Sequence, residues 1–216
     1  MTDYATLANV KTQVEIPATT VKYDTSLAFL ITRASRAIDR YCGREDNWFV
    51  ALATDAIRTY NGSGKMYQWI HECVSISLVE VKDSPTDTAY TAWVATDWKA
   101  FCGAPDNPNF NITPYTGLMI DAVDGTYDSF TSGRVSDIAL PTVRVTAKWG
   151  YATTVPAQIE EATMIQTARW FKRAESSWAD SIQRENLGRL GFVLTLDPDV
   201  KMLLDDGAWC DPRRHM

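Results

Sequence analysis

Two histidines, a few adjacent acids, four cysteines and one glycine-rich run are the residues from which any chemistry would have to be built. His71 follows Trp69 and Ile70 and stands beside Glu72, while His215 is next to the end of the chain. A Ser-His-Asp triad would need His71, and no Gly-x-Ser-x-Gly turn is present to hold a nucleophile. A strand histidine beside a carboxylate reads as structural. Gly62-Ser63-Gly64-Lys65 looks like a fragment of a phosphate loop but lacks its length and its following helix. Paired acids would suit glycoside hydrolysis. Glu160-Glu161 and Asp205-Asp206 are adjacent residues on helical segments, however, so their side chains diverge. Asp121, Asp124 and Asp128 surround Gly125 without the spacing or terminal glutamate of a calcium loop, and read as turn chemistry. Cys42, Cys73, Cys102 and Cys210 include no Cys-x-x-Cys pair and read as small, mostly buried thiols, not a zinc site or disulfide framework. No catalytic, cofactor-binding or metal-ligating residue is assigned, and the expectation is a protein that is not an enzyme.

What remains is material for packing and assembly. The 216 residues, 45% hydrophobic and 22% charged, suit one globular domain. No apolar run reaches the roughly 18 residues a membrane span needs. The first ten residues lack the basic and apolar regions of a signal peptide, so synthesis in the cytoplasm is expected. A net charge of −6 argues against a broad phosphate-gripping surface. The basic runs are short: Arg33, Arg36 and Arg40 at helical spacing, Arg169, Lys172 and Arg173 on a second helix, and Arg213-Arg214 near the end. The first set forms one face, read as a solvated or subunit-facing stripe. Trp48, Trp69, Trp93, Trp98, Trp149, Trp170, Trp178 and Trp209 exceed what one core should absorb, and are assigned mainly to interfaces, with Trp170 and Trp178, like Arg33, Arg36 and Arg40, assigned to the subunit interface.

The elements that position these residues are legible from period. Leu7, Val10 and Val14 give a short helix capped by Thr6 and ended by Pro17. Leu27, Leu30, Ile31, Ala34, Ile38 and Tyr41 give a helix from about Ser26 to Cys42, capped by Asp24 or Thr25 and stopped by Gly43. From Ile57 to Gly150 the pattern turns to short strands. Asn61-Gly62-Ser63-Gly64 between alternating runs predicts a hairpin. Val74–Val81, Tyr90–Val94 with Trp98–Phe101, and Leu118–Ala122 predict further strands, with residues 103–116 as a loop. Val143, Val145 and Ala147 alternate with Arg144, Thr146 and Lys148 in the last strand. A third helix follows from Pro156 to Ser177, then a polar stretch from Ala179 to Gly191. Asp197-Pro198-Asp199-Val200 opens a final short helix that Gly207 closes. Helical segments at both ends of the chain and period-2 segments between them predict an α+β fold: a helical bundle from the N- and C-terminal segments with a central antiparallel β lobe.

Seven segments in this order resemble the head–tail connector (adaptor, or head-completion) proteins of long-tailed bacteriophages. They are YATLANVK at Tyr4–Lys11, IDRYCGR at Ile38–Arg44, RTYNGSG at Arg58–Gly64, SLVEVKD at Ser77–Asp83, VRVTAKWGYA at Val143–Ala152, the Val155-Pro156 helix start, and LDPDVKMLL at Leu196–Leu204. The stretch from Ser84 to Leu140 is longer and richer in tryptophan than that family's pattern. The resemblance implies a single connector domain spanning residues 1–216, with residues 1–44 and 154–207 helical, 57–150 as the β lobe and 208–216 as a tail. It implies a virion neck protein, made in the host cytoplasm, that forms a ring of twelve copies beneath the portal. Its partners would be the portal protein, neighbouring copies, and a tail terminator or next neck protein. DNA would pass through the channel without sequence-specific binding, eased by the acidic balance. It further implies that the C-terminal segment reaches the portal: Leu196, Val200, Leu203, Leu204 and Trp209 as apolar contacts, Arg213 and Arg214 as charged ones. Another neck or tail protein (a tail terminator or second neck ring) and, more distantly, a carbohydrate-binding module are the alternatives.

Overall fold

The computed structural model describes residues 2–123, 125–175, 181–184, 188–191, 196–207 and 209. The fold is α+β, with helices from both ends of the chain and an antiparallel sheet between them. It forms two compact units, Met1–Phe49 with Val155–Met216, and Val50–Thr154.

The helical unit contains α1 (Leu7–Gln13), α2 (Asp24–Tyr41), α3 (Ala157–Glu175) and α4 (Pro198–Asp206). Thr6 caps α1, its side chain accepting from the Asn9 N–H at 3.2 Å. The cap expected at Asp24 or Thr25 is not used. Tyr23 occupies that position, and Asp24 lies in the first turn of α2, paired at 2.5 Å with the buried Lys11. Lys11 also donates to the carbonyls of Ala18 and Thr20, so the turn between α1 and α2 wraps a single ammonium. Gly43 ends α2 as the sequence predicts: at φ +71° its N–H meets the Arg40 carbonyl while that of Arg44 meets Asp39, a Schellman closure. Val10, Leu27, Leu30, Ile31, Ala34, Trp170 and Phe171 form the core, with the Tyr23 ring edge-on to Phe171 at 5.3 Å. Each large apolar side chain so buried contributes roughly 1.5–3 kcal/mol. The stretch read as a polar connector holds a small antiparallel pair, β10 (Ser181–Arg184) and β11 (Gly188–Gly191).

The sheet unit contains β1 (Ala56–Asn61), β2 (Tyr67–Val81), β3 (Thr91–Trp93), β4 (Trp98–Ala104), β5 (Asn107–Asn109), β6 (Tyr115–Ile120), the short pair β7 (Arg134–Val135) and β8 (Ile138–Ala139), and β9 (Pro141–Trp149). Its main order is β1-β9-β2-β6-β4-β5, with β3 also on β2. The hairpin expected at Asn61–Gly64 does not form: β9 lies between β1 and β2 and is antiparallel to both. The glycine run is a true chain reversal signal, but turn chemistry says nothing about which distant strand fills the gap. Gly62 instead lies against Thr131 and Thr142, where an added Cβ would stand 1.9 Å from the Thr131 carbonyl. The long β2 divides its partners, β6 along its first half and β9 along its second, with register shifts around Cys73 and between Ile76 and Leu78. Such bulges bend a strand. The stretch 103–116 is not only loop: Asn107–Asn109 folds back on β4, and β6 already starts at Tyr115.

The surplus of tryptophan is largely resolved by there being two cores. Trp48 and Trp170 are buried in the helical unit, Trp93 and Trp149 in the sheet unit. Trp98 and Trp209 are half-buried, and only Trp69, at 46%, is exposed among the described residues. Trp178 lies outside them. The assignment of these rings mainly to interfaces is thereby corrected.

Candidate assembly surfaces

The groups that might do chemistry are occupied in holding the fold. The Tyr60 hydroxyl shares a hydrogen bond with His71 Nδ1 at 3.0 Å and accepts from the His71 backbone N–H at 3.2 Å, fixing the imidazole within the sheet unit. In the glycine run, Gly62 N–H donates to Thr142 Oγ1 at 2.9 Å and Ser63 N–H to Gln68 Oε1 at 2.8 Å. Those amides point to the protein's own acceptors, not to an open phosphate cradle. Asp121 pairs with Lys99 at 2.5 Å and accepts the Val123 N–H at 3.1 Å, as turn chemistry requires. Glu160 accepts from Asn9 Nδ2 at 2.6 Å and Asp205 from the Tyr41 hydroxyl at 3.0 Å. Among the described residues no group of three His, Cys, Asp or Glu side chains could hold a metal ion. No helix among them is long and apolar enough to cross a membrane.

The C-terminal residues assigned to the portal separate into two sets. Leu196, Val200 and Leu204 are buried within the protein's own helical unit, so they are not an apolar face held out for a partner. Asp197 explains why α4 is fixed there. Its side chain caps α4 by accepting the Asp199 N–H at 2.9 Å, it pairs with Arg169 of α3, and its own N–H donates to Gln166 Oε1 at 2.8 Å. A helix this short is marginal alone, and these contacts to α3 supply its order. Leu203 is half-buried. Trp209 folds back, edge-on to Phe49 at 5.9 Å, with Nε1 donating to Gln158 Oε1 at 2.9 Å. Arg213 and Arg214 lie outside the described residues.

The arginine face divides in the same way. Arg33 and Arg40 are exposed, but Arg36 is buried and cannot face a neighbouring subunit. Its guanidinium pairs with Asp39 at 3.0 Å, donates to the Thr2 carbonyl at 3.1 Å and to Asn47 Oδ1, and lies over the Tyr4 ring. Arg33 lies over the buried Trp170 ring at 4.6 Å, and Arg40 Nε donates to the Arg36 carbonyl at 3.1 Å. Both exposed cations are therefore held in place by their own helix or its neighbour.

Sequence reasoning missed three exposed apolar residues in this unit, of which Val21, before α2, is 73% exposed. Phe29 on α2 is 68% exposed and Met202 on α4 is 58% exposed. The signal was available: Phe29 stands four residues before Arg33, on the polar line of α2, away from its apolar stripe. In the sheet unit, Ile57 and Leu78 flank Thr146 across three strands, and Arg144 forks onto Glu80 between them and β3.

Comparison with solved structures finds chains in the neck of GTA particles. One, from the neck of an empty GTA particle computed with C6 symmetry, is similar at a TM-score of 0.49 and 12% identity, over 94% of this chain and 87% of that one. Another, from the neck of a native GTA particle computed with C12 symmetry, has a TM-score of 0.44 at the same identity and coverage. At these scores the likeness carries no argument about role. No protein-family model and no curated protein matches the chain.

Proposed function

We propose that the protein is the adaptor subunit of a tailed-bacteriophage neck, forming a ring between portal and tail that extends the DNA channel and docks the next component. The observation that carries this reading is the collinear set of seven connector-like segments, distributed over α1, the end of α2, β1, β2, β9, the start of α3 and α4. Two further features support it. Among the described residues His71, the amide of Gly62 and Asp121 are engaged in sheet and turn contacts. The net charge of −6 suits a conduit through which a duplex must slide. In this reading the portal contact belongs to the chain after Trp209, with Arg213 and Arg214 meeting acidic groups on the portal, because Leu196, Val200 and Leu204 are committed to the helical core and Trp209 is held by Phe49 and Gln158. Phage assembled without this protein should accumulate DNA-filled heads without tails, and purified protein added back should restore tail joining. Normal tail joining in its absence would refute the reading. Removal of residues 210–216 should abolish attachment to portal-bearing heads if the terminal arginines make that contact.

A further inference from the structure

We propose that the exposed line Phe29–Arg33–Arg40 of α2 in one copy docks on the exposed line Asp199–Met202–Asp206 of α4 in the next copy. This rests on the ring reading above and names its subunit contact. Arg33 and Arg40 are seven residues apart on one face of α2, and Asp199 and Asp206 are seven residues apart on one face of α4, about 10.5 Å in each case. All six residues are exposed. Among the described residues neither arginine makes an ion pair, although both guanidiniums are already positioned, one over Trp170 and one on the Arg36 carbonyl.

Both helices belong to the same unit: α3 packs against α2 and α4, and the Tyr41 hydroxyl at the end of α2 reaches Asp205 of α4. Each copy thus carries a basic face and a matching acidic one. That is the requirement of a head-to-tail contact, which closes into a ring when its rotation divides the circle. An antiparallel approach brings Arg40, at the C-terminal end of α2, onto Asp199, in the first turn of α4, and Arg33 onto Asp206. The two helix dipoles then also oppose favourably. Met202 lies between the acids, where the arginine stems can cover it, and Phe29 extends past Asp206 as the aromatic anchor.

The test uses the full-length protein and sedimentation velocity across a concentration series, with circular dichroism as the check on folding. The wild type should self-associate, and the association should weaken in 1 M salt, where the screening length falls to about 3 Å. Phe29→Ala should weaken it by about thirtyfold, the loss typical of an aromatic hot spot. R33E/R40E alone and D199K/D206K alone should each remain monomeric. Mixing the two, or combining all four changes in one chain, should restore association. Asp206→Lys alone guards against misfolding, because a lysine at the C-terminal end of α4 favours the helix and should still weaken assembly. Restoration by the mixture supports the pairing. Association of either charge variant at wild-type strength overturns it and leaves the ring to another surface. A wild type that stays monomeric at millimolar concentration also overturns it. The neck reading fails separately, through normal tail joining in particles that lack the protein.

Discussion

In the helical unit the chain is fixed by buried polar groups, whereas in the sheet unit the corresponding work falls to aromatic rings. Asp39 is fully buried and receives the Tyr4 hydroxyl at 2.5 Å, the Asn47 N–H at 3.0 Å and Arg36 Nε at 3.0 Å. Tyr4 N–H in turn donates to Ser35 Oγ at 3.0 Å, so one carboxylate ties the N-terminal segment, α2 and the segment after α2. Burial raises the Asp39 carboxyl above its ordinary value, offset in part by those hydrogen bonds and the arginine. Burial, and then the same hydrogen bond, raise the Tyr4 phenol. In the sheet unit Trp93 stacks on Tyr127 at 4.1 Å and on Phe130 at 5.0 Å, and Trp149 Nε1 donates to the Ala56 carbonyl at 2.7 Å. A directional network permits one arrangement of its members, while a ring cluster tolerates small shifts as long as volume is kept.

The largest expected effect follows from breaking the polar network. Asp39→Asn leaves Arg36 buried without its counter-charge, and removing one partner of a buried pair costs about 3–5 kcal/mol. Hydrogen exchange should show α1 and α2 amides losing protection while those of Val143 and Val145 in β9 keep theirs. Equal loss in both units would end the contrast.

A smaller effect is expected where the sheet unit is tightest. At Gly62 an added methyl meets the Thr131 carbonyl at 1.9 Å and Thr142 Oγ1 at 2.3 Å. Gly62→Ala should therefore cost about 1–3 kcal/mol through overpacking, measured by urea denaturation. A neutral result would mean that the passage from β1 to β2 is as tolerant as the ring cluster. Thr6→Ala, which removes the α1 cap, should cost about 1 kcal/mol and speed exchange only in α1.

The same contrast explains what the sequence made legible. Helix ends are local events, so Thr6, Gly43 and Asp197 could be read as caps and stops from their immediate neighbours. The strands were legible as strands, because alternation is also local. Their order was not, since β9 enters between β1 and β2 from about eighty residues away, and nothing at Asn61–Gly64 records it. The assembly residues show the limit again. Helical spacing put Arg33, Arg36 and Arg40 on one face, but only the Tyr4 and Asn47 neighbourhood reveals that the middle one turns inward. Val200 and Leu204 of α4 are buried in the helical unit, where α3 packs against α4, whereas Leu203, grouped with them by spacing, is half-buried. Phe29 was passed over because it lies off the apolar stripes, and its one signal was a position on the polar line of α2.

The smallest effect concerns Cys73, the one buried thiol of the sheet core whose ionisation is clearly displaced. Burial, with a lesser contribution from the Glu72 charge, pushes it up to about 12 from an ordinary 9.0. The unfolded chain therefore loses this proton first as the pH rises. Below about pH 9 both states are protonated and the thiol contributes nothing to pH dependence. Above it the unfolded state is favoured, and stability falls until the native thiol also ionises near 12. At pH 9.5 the loss is on the order of 1 kcal/mol or less. It should be read as the difference in pH slope between the wild type and Cys73→Ala, since tyrosines such as Tyr4 titrate in the same direction at higher pH. A thiol reagent at pH 8 gives the companion measurement. Cys102 is half-buried and should react first, while Cys73, buried in the cluster and paired with Tyr115 of β6 and Trp149 of β9, should wait for unfolding. Equal labelling rates for the two would show that the ring-filled core opens as readily as the surface around it, and the division between a rigid polar unit and a dry aromatic one would fail on the aromatic side.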